Sequence, residues 1–263
     1  MLEFFKYHGA GNDFILIDNR EDNIHLSKEE VIFLCDRNFG IGGDGLMLLE
    51  KVKGYDFAMK YYNPDGTKEM MCGNGGRCII AFAHLLGIIK DKTEFLAPDG
   101  EHKGEIISCE KDKYWIKLSL KDINQIKVYK DGYFVDTGAT HFVQFLDDIS
   151  SIDIITKGRE IRYDSRFDFV KGVNANFVEI NKDNSLNIRT YERGVEAETL
   201  ACGTGITASA LSFVYKNNLT SNSIEVEAKG GLLRVSFEKT TQGFKNIYLE
   251  GEAQMVFRGE IQI

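Results

Sequence analysis

The feature that most constrains this chain is an internal repeat. Residues 71–78 read MCGNGGRC and residues 201–210 read ACGTGITASA, so each loop has a cysteine, a glycine, a polar residue and a glycine before a helix-like segment. Cys202 lies 130 residues after Cys72, about half of the 263-residue chain. Loops of one kind at this spacing indicate an internal duplication into two lobes.

The segments on either side of the two loops repeat as well. A strand-like run precedes each loop, over residues 57–66 in the first half and 186–194 in the second. Each helix-like segment is followed by a glycine turn with hairpin-like strands, at residues 99–100 and again at residues 230–231. We place the crossover near residue 120.

This crossover gives the expected domains. Residues 1–120 form the lobe that carries Cys72, and residues 121–263 form the lobe that carries Cys202. The final strand, near residues 254–263, is expected to pack back on the first lobe.

The segments after the two loops have the composition of buried helices. RCIIAFAHLLG, after Gly76, is apolar on nearly every face, and ITASALSFVY, after Gly205, is small or apolar all round. A surface helix shows a single apolar stripe, so these two helices must be surrounded. Alternating strands such as SIEVEA and LRVSFE could curl around them. The fold class predicted is α+β, with a mixed or antiparallel sheet curled around a central apolar helix in each lobe.

A third helix is predicted at the periphery. It covers residues 27–38 and starts with a capping box formed by Ser27 and Glu30.

Composition excludes several classes of protein. Hydrophobic residues make up 43% and charged residues 27% of the chain, which is typical of a globular protein. The net charge is -8 and the lysines are scattered among acidic residues, so nucleic acid is not an expected partner. No apolar run approaches the roughly 20 residues of a membrane-spanning helix, so no membrane is expected either. The N-terminus has no secretory signal pattern, and we expect a cytoplasmic protein.

The cysteine and histidine spacings argue against a metal site. The five cysteines include no C-x-x-C pair, and no histidine pattern has the spacing of metal ligands. We therefore predict no metal and no structural disulfide framework. Cys35, Cys78 and Cys109 lie inside helix or strand patterns and are interpreted as small buried apolar residues.

Cys72 and Cys202 differ because each stands where a helix begins. The first turn of a helix has unpaired backbone N–H groups and a partial positive charge, which stabilise a thiolate or a carboxylate. At such positions the pKa of a cysteine falls from about 8.5 toward neutrality. Two such thiols facing each other across a cleft would supply a base on one side of a carbon atom and an acid on the other. This chemistry suggests inversion at the α-carbon of an amino acid.

Four segments together resemble one known family. They are YHGAGNDF, the block from NPDG to MCGNGGRC, VNANF, and YERGVEAETLACGTG. In these segments the chain resembles the diaminopimelate epimerase family, from Lys6 to nearly the last strand. The resemblance implies epimerisation of L,L-diaminopimelate to meso-diaminopimelate by a two-base cysteine mechanism, without a cofactor, in lysine and cell-wall precursor biosynthesis.

The resemblance also implies roles for individual residues. Cys72 and Cys202 would alternate as base and acid, Arg193 would clamp the distal carboxylate as a bidentate fork, and Glu192 would receive the ammonium group. His141 would have an accessory role at the edge of the site. The substrate-binding residues implied are Asn12, Asn63, Gly73, Asn74, Asn174, Glu192, Arg193, Gly203 and Thr204.

One segment departs from the family pattern. Family members commonly have Gly-Asn-Pro-His or a serine variant where this chain has GATH over residues 138–141, so a side-chain donor is missing at Ala139. An epimerase or racemase of another amino acid is therefore an alternative. A thiol redox switch and a non-catalytic amino-acid-binding protein are alternatives from other classes. The sequence leaves open whether the chain forms a homodimer.

Overall fold

The computed structural model describes residues 1–68 and 71–263. The chain divides into two compact units. Unit 1 consists of Met1–Leu118 together with Gly251–Ile263, and unit 2 consists of Ser119–Glu250. The last strand crosses the boundary, so its first part belongs to unit 2 and its second part to unit 1.

The strands of unit 1 form a closed ring. Those found among its described residues are β1 (Leu2–Gly9), β2 (Asn12–Asp18), β3 (Gly45–Glu50), β4 (Ala58–Tyr62), β5 (Lys92–Ala97), β6 (Gly100–Glu110), β7 (Lys113–Ser119) and the part of β16 (Gly243–Ile261) after Glu250. They are hydrogen-bonded in this order, and β16 pairs with β1 to close the ring. β2 is parallel to β3 and β4 is parallel to β5, while the other neighbours are antiparallel. The sheet is therefore mixed.

Helix α2 (Gly73–Leu85) is the centre of unit 1. It packs against β1, β2, β3 and β6, and every residue from Gly73 to Ala83 is buried. The Phe82 ring centroid lies 4.9 Å from that of Phe5 and 6.1 Å from that of Tyr7. Truncation of a buried phenylalanine such as Phe82 to alanine typically costs about 3–5 kcal/mol. The all-round apolar sequence of this helix follows from its position inside the sheet.

Helix α1 (Lys28–Cys35) lies outside the ring and is shorter than predicted. The capping box between Ser27 and Glu30 is confirmed. The helix stops at Cys35 instead of Asn38 because Asp36 adopts an extended conformation. The Asp36 carboxylate accepts hydrogen bonds from the backbone N–H groups of residues 38 and 39, which holds the chain in a turn.

Unit 2 has a second mixed sheet. The strands among its residues are β8 (Ile126–Tyr129), β9 (Gly132–Asp136), β10 (Thr140–Phe145), β11 (Asn174–Ile180), β12 (Leu186–Glu192), β13 (Ala197–Thr199), β14 (Ser223–Ala228), β15 (Gly231–Thr240) and the first part of β16. Their order is β16-β15-β14-β12-β11-β10-β9-β8, with β13 on the side of β12. β10 is parallel to β11, and β12 is parallel to β14.

Helix α4 (Gly203–Asn217) has the place in unit 2 that α2 has in unit 1. It packs against β9, β10, β11, β12, β14 and β15, and its residues from Gly205 to Val214 are buried. The helix ends where Asn218 turns to a left-handed conformation with φ of 47°. The predicted fold class, α+β with a mixed sheet around a central apolar helix in each half, is confirmed.

Two short helical segments of unit 2 were not predicted. Helix α3 (Ile154–Arg162) is capped by Asp153, and a 3-10 helix follows at Ser165–Val170. Both are too short to show a clear apolar period, although α3 packs closely on β12 because Gly158 has no side chain there. No helix among the described residues has the length and apolar character that crossing a membrane requires.

The interpretation of Cys109 as a buried residue is wrong. Cys109 is exposed on β6 beside the turn into β7, and its Sγ lies 3.6 Å from the carbonyl oxygen of Lys111. Cys35 and Cys78 are buried as expected. Burial raises the pKa of Cys35 to about 11, and it raises the pKa of Cys78 beyond the usual range.

Candidate active site

Cys72 directly precedes α2 in unit 1 and is its N-cap residue. Its backbone is extended, with φ of -96° and ψ of 131°, and its carbonyl accepts the first helical hydrogen bond from Gly76 N–H at 2.7 Å. Its side chain is partly buried. Cys72 is thus the N-cap residue of α2, and its side chain makes no capping hydrogen bond to the first helical turn.

Two predicted substrate-binding residues lie in the cluster around Cys72, one in contact with its sulfur and the other in contact with the first. Cys72 Sγ lies 3.6 Å from Asn12 Oδ1, and Asn74 Nδ2 donates to the same oxygen at 3.3 Å. Asn12 begins β2, and Asn74 lies in the first turn of α2. Unit 1 thus brings Cys72, Asn12 and Asn74 into one cluster.

The amide nitrogen of Asn12 is held by a network of charged side chains. Asn12 Nδ2 donates to Asp44 Oδ2 at 2.7 Å, and Arg37 donates to Asp44 Oδ1, also at 2.7 Å. Arg37 also makes two hydrogen bonds to Asp13, which is paired with Lys6 at 2.7 Å. Partial burial raises the pKa of Asp13, but the hydrogen bonds from Arg37 and Lys6 outweigh it and hold that pKa well below its usual range.

Arg77 lies one turn further along α2 and is completely buried. Its guanidinium donates to Asn74 Oδ1 at 2.8 Å, to the carbonyl of Gly73 at 3.3 Å and to the carbonyl of Glu252 at 3.3 Å. Burial lowers the pKa of Arg77 from its usual value. All three acceptors are neutral, so within residues 1–68 and 71–263 this cation is held by hydrogen bonds and not by an ion pair.

Asn63 lies in the turn that follows β4. Its Nδ2 donates to Thr67 Oγ1 at 3.2 Å, and its backbone N–H donates to the carbonyl of Thr67 at 2.9 Å. In this structure the Asn63 side chain therefore stabilises its own turn.

Cys202 directly precedes α4 and is its N-cap residue, as Cys72 is of α2. Its φ is -106° and its ψ is 105°, and its carbonyl accepts from Ile206 N–H at 2.9 Å. It is 8% exposed, and its Sγ lies 3.5 Å from Thr204 Oγ1. Gly203, Thr204 and Cys202 thus form one helix start.

The Thr204 hydroxyl also reaches His141 on β10, at 2.9 Å from Nε2. Asn176 Nδ2 lies 3.2 Å from His141 Nδ1 and 3.2 Å from the carbonyl of Phe142. A carbonyl can only accept, so the amide nitrogen of Asn176 is the donor on this side, and His141 Nδ1 accepts. The proton of neutral His141 is then on Nε2, which donates to Thr204.

His141 stays neutral at neutral pH. The side chain is completely buried, and this burial, together with the nearby charge of Arg193, lowers its pKa from 6.5 to about 3. His141 is therefore a neutral group that hydrogen-bonds to Thr204, and its accessory role stays a prediction.

Arg193 and Asn174 are joined beside β11. Asn174 Oδ1 accepts from the backbone N–H of Arg193 at 2.8 Å, and Asn174 Nδ2 donates to the carbonyl of Thr140 at 2.9 Å. Nη1 of Arg193 donates to the carbonyls of Val170 and Gly172 at 3.0 and 3.1 Å. Over the described ranges, Nε and Nη2 of Arg193 donate no hydrogen bond to the chain.

The remaining predicted residues of unit 2 lie close to this group in sequence. Glu192, the last residue of β12, is half-buried, and its Oε2 accepts from Thr199 Oγ1 at 2.9 Å. At Ala139 the backbone carbonyl accepts from the N–H of Thr137 at 3.0 Å and from its hydroxyl at 3.1 Å. Position 139 offers no side-chain hydrogen-bond donor.

Several residues of these clusters were not predicted from the sequence, among them Asp44, Arg77 and Asn176. Arg77 carried a signal, because a single charge in an otherwise apolar helix has to be buried. Asn176 also had a recognisable signal in the sequence, because it shares a strand face with Asn174, two residues earlier. Asp44 stands in a glycine-rich loop, and its sequence alone does not connect it to Asn12.

In the described part of the chain, no three histidine, cysteine, aspartate or glutamate side chains form a group that could hold a metal ion.

Similar solved structures define the class of fold. A phenazine biosynthesis protein of the PhzF family from Bacillus anthracis superposes with a TM-score of 0.78 and 15% identity, covering 100% of this chain and 99% of the other. A probable proline racemase from Agrobacterium radiobacter gives a TM-score of 0.73 with 12% identity, covering 100% and 93%. The chain therefore has the duplicated α+β fold that these proteins share.

Sequence comparison then gives the particular family. The profile described as diaminopimelate epimerase matches residues 4–117 and 133–256. A diaminopimelate epimerase from Flavobacterium psychrophilum is 45% identical over 261 residues, covering 99% of this chain and 100% of the relative. Another, from Chlorobaculum tepidum, is 41% identical over 266 residues, covering 97% and 99%. The chain belongs to the diaminopimelate epimerase family.

Proposed function

We propose that this protein converts L,L-diaminopimelate to meso-diaminopimelate by inverting one α-carbon, as a step of lysine and cell-wall precursor biosynthesis. The observation that carries the proposal is membership of the diaminopimelate epimerase family over nearly the whole chain, with a cysteine at the start of each central helix. The protein is thus an isomerase of amino acids that works without pyridoxal phosphate.

The reaction is a two-base proton transfer. One thiolate, of Cys72 or Cys202, removes the α-proton, and the C–H electron pair moves into the adjacent carboxylate. The other cysteine, as a thiol, gives its proton to the opposite face of the same carbon. At the end the two sulfurs have exchanged protonation states: one proton has left one face of the carbon and another has been added to the opposite face, without an oxidant or a reductant.

The helix starts supply the electrostatic part of catalysis. Negative charge grows on the substrate carboxylate as the C–H bond breaks, and backbone N–H groups at a helix start stabilise such charge. Gly73 and Asn74 follow Cys72, and Gly203 and Thr204 follow Cys202. These residues are proposed to hold the reacting carboxylate.

The distal end of diaminopimelate is an amino acid group that the reaction does not change. Arg193 is proposed to clamp its carboxylate through Nε and Nη2, while Nη1 is fixed by the carbonyls of Val170 and Gly172. Glu192 is proposed to bind the ammonium group. Three asparagines complete the proposed polar contacts with substrate: Asn12, Asn63 and Asn174.

A second candidate is an epimerase or racemase of another amino acid. Ala139 favours it, because the side-chain donor common in the family is missing at that position. Rates with L,L-diaminopimelate, with a monocarboxylic amino acid and with other diamino diacids separate the two candidates. A clear preference for a monocarboxylic amino acid would remove the proposed role of Arg193.

The direct test measures exchange of the substrate α-hydrogen with deuterated solvent, without pyridoxal phosphate. The native protein should exchange and epimerise L,L-diaminopimelate, and Cys72→Ala and Cys202→Ala should each abolish both. Cys109→Ala, which removes the exposed thiol on β6, is the matched control and should keep full activity. Unchanged exchange in either Cys72→Ala or Cys202→Ala would contradict the two-thiol mechanism.

The location proposed for this activity is the cytoplasm. The proposed substrate is a biosynthetic intermediate, and this supports a cytoplasmic location. Fractionation of cells that express the tagged chain tests it, and recovery in a secreted fraction would contradict it.

A further inference from the structure

The two amides beside Cys72 stand between two opposite charges. From one end to the other, the contacts are Asp44 Oδ2 to Asn12 Nδ2 at 2.7 Å, Asn12 Oδ1 to Asn74 Nδ2 at 3.3 Å, and Asn74 Oδ1 to Arg77 Nη2 at 2.8 Å. We call Asn12 and Asn74 the amide pair. A carboxylate only accepts and a guanidinium only donates, so these two ends allow the amide pair a single orientation.

This orientation decides what Cys72 meets. The group of Asn12 that faces Cys72 Sγ, at 3.6 Å, is the oxygen Oδ1, which can accept a hydrogen but cannot donate one. A thiol can donate its S–H to this oxygen, whereas a thiolate is repelled by it. If the amide of Asn12 were reversed, its NH₂ group would face the sulfur and would favour the thiolate instead.

We propose that Asp44 is a positioning residue, which fixes the Asn12 amide with its oxygen toward Cys72 and so keeps Cys72 in the thiol form in the protein without substrate. Arg37 supports this role, because its guanidinium holds the other Asp44 oxygen at 2.7 Å. The catalytic consequence rests on the proposed function: Cys72 then enters the first turnover as the proton donor, and Cys202 enters it as the base.

Among the described residues, the other charged groups of this region belong to neighbouring elements. Arg77 lies on α2, Lys6 on β1, Asp13 on β2, and Arg37 in the segment after α1. None of them is substituted when Asp44 is changed, so the test compares variants of Asp44 with one another.

Three variants test the role of Asp44. Asp44→Ala removes both the negative charge and the acceptor for Asn12 Nδ2. Asp44→Asn removes the charge and one of the two acceptor oxygens, so its single oxygen can accept from Asn12 Nδ2 or from Arg37 but not from both. Asp18→Ala is the matched control. Asp18 ends β2, the strand that Asn12 begins, and it is paired with its near neighbour Arg20 at 2.6 Å.

The measurement needs neither substrate nor turnover. The rate of alkylation of Cys72 by iodoacetamide is followed by peptide mass spectrometry across pH, and its midpoint gives the thiol titration. Asp44→Ala is expected to lower the midpoint by about half a unit to one unit, the equivalent of one neutral hydrogen bond. Asp44→Asn is expected to lower it by no more than Asp44→Ala does, and Asp18→Ala should leave it unchanged.

A second background tests whether Asp44 acts through Asn12. In Asn12→Ala protein, the additional change Asp44→Ala should no longer move the midpoint. An unchanged midpoint in Asp44→Ala, or a full shift that persists in Asn12→Ala, would overturn the proposal. If the proposed epimerase activity fails, there is no turnover in the native protein, whereas these midpoints still report on Asp44.

Discussion

His141 Nε2 lies 2.9 Å from Thr204 Oγ1, so a histidine on β10 supports the hydroxyl that contacts Cys202. The hydroxyl has one hydrogen. Because neutral His141 donates to its oxygen, that hydrogen can point to the sulfur of Cys202, 3.5 Å away. A sulfur that receives a hydrogen bond is stabilised as a thiolate. The Thr204 hydroxyl is therefore placed to donate to Cys202 Sγ.

Thr204→Val is expected to remove this support while keeping the shape of the side chain. With the hydroxyl lost, we expect kcat to fall about tenfold, the equivalent of about 1.4 kcal/mol of transition-state stabilisation. Steady-state epimerisation assays measure the change. Thr93→Val, which removes a hydroxyl bound to Asp56 in unit 1, is the control and should leave kcat within about twofold of native.

The buried His141 should make stability depend on pH. Its pKa is about 3 in the folded protein and 6.5 in its ordinary state, so between these values the unfolded chain binds more protons. The contribution to the free energy of unfolding is full above pH 6.5 and is lost as pH falls below it, by about 2 kcal/mol between pH 6.5 and pH 5. Urea unfolding at several pH values should therefore show a flatter dependence for His141→Gln than for the native protein. His25→Gln, at an exposed position, is the control, and equal slopes for native protein and His141→Gln would contradict the prediction.

Gly205 allows Asn176 to reach His141. A Cβ at position 205 would lie 2.3 Å from Asn176 Oδ1. Gly205→Ala should destabilise the protein by about 1–3 kcal/mol, as expected for overpacking, and should also lower kcat. Ser209→Ala, one turn further along α4, is the control: its buried hydroxyl makes no hydrogen bond within the described chain, so stability should stay constant or rise by up to about 1 kcal/mol. Denaturant unfolding measures both, and a loss in Ser209→Ala equal to that in Gly205→Ala would contradict the argument.

Arg193→Lys tests the clamp on the distal carboxylate. Lysine keeps the charge but cannot make a planar, two-point contact, so we expect KM for diaminopimelate to rise about 10- to 100-fold with a smaller change in kcat. Arg166→Lys, in a surface ion-pair network with Asp131 and Asp164, is the matched control and should change neither parameter. A normal KM in Arg193→Lys would place the distal carboxylate elsewhere.

The parts of the fold that could be predicted are those with a strong sequence pattern. The all-round apolar helices after Gly76 and Gly205 required a surrounding sheet, and the glycine turns marked the hairpins. The end of α1 could not be found in this way, because the Asp36 turn competes with the helix over only three residues. The exposure of Cys109 was also missed, because alternation weakens near the end of β6, where four successive residues are exposed.

The same distinction applies to the candidate site. Cys72 and Cys202 could be selected because two matched loops are a stronger signal than one. Asp44 and Asn176 act on neighbours that are 32 and 35 residues away in sequence, so only the folded chain reveals their contacts. Nothing in local composition distinguishes such residues from ordinary turn or strand residues.

The isotope content of the first product tests the central claim most directly. The experiment converts L,L-diaminopimelate with ordinary hydrogen at its α-carbons in deuterated solvent. If two separate thiols act, the meso product carries deuterium at the inverted carbon from the earliest turnovers, while the unreacted substrate keeps its hydrogen. A single group that serves both faces would return the original hydrogen to the product. Early meso product with hydrogen at that carbon would therefore contradict the account.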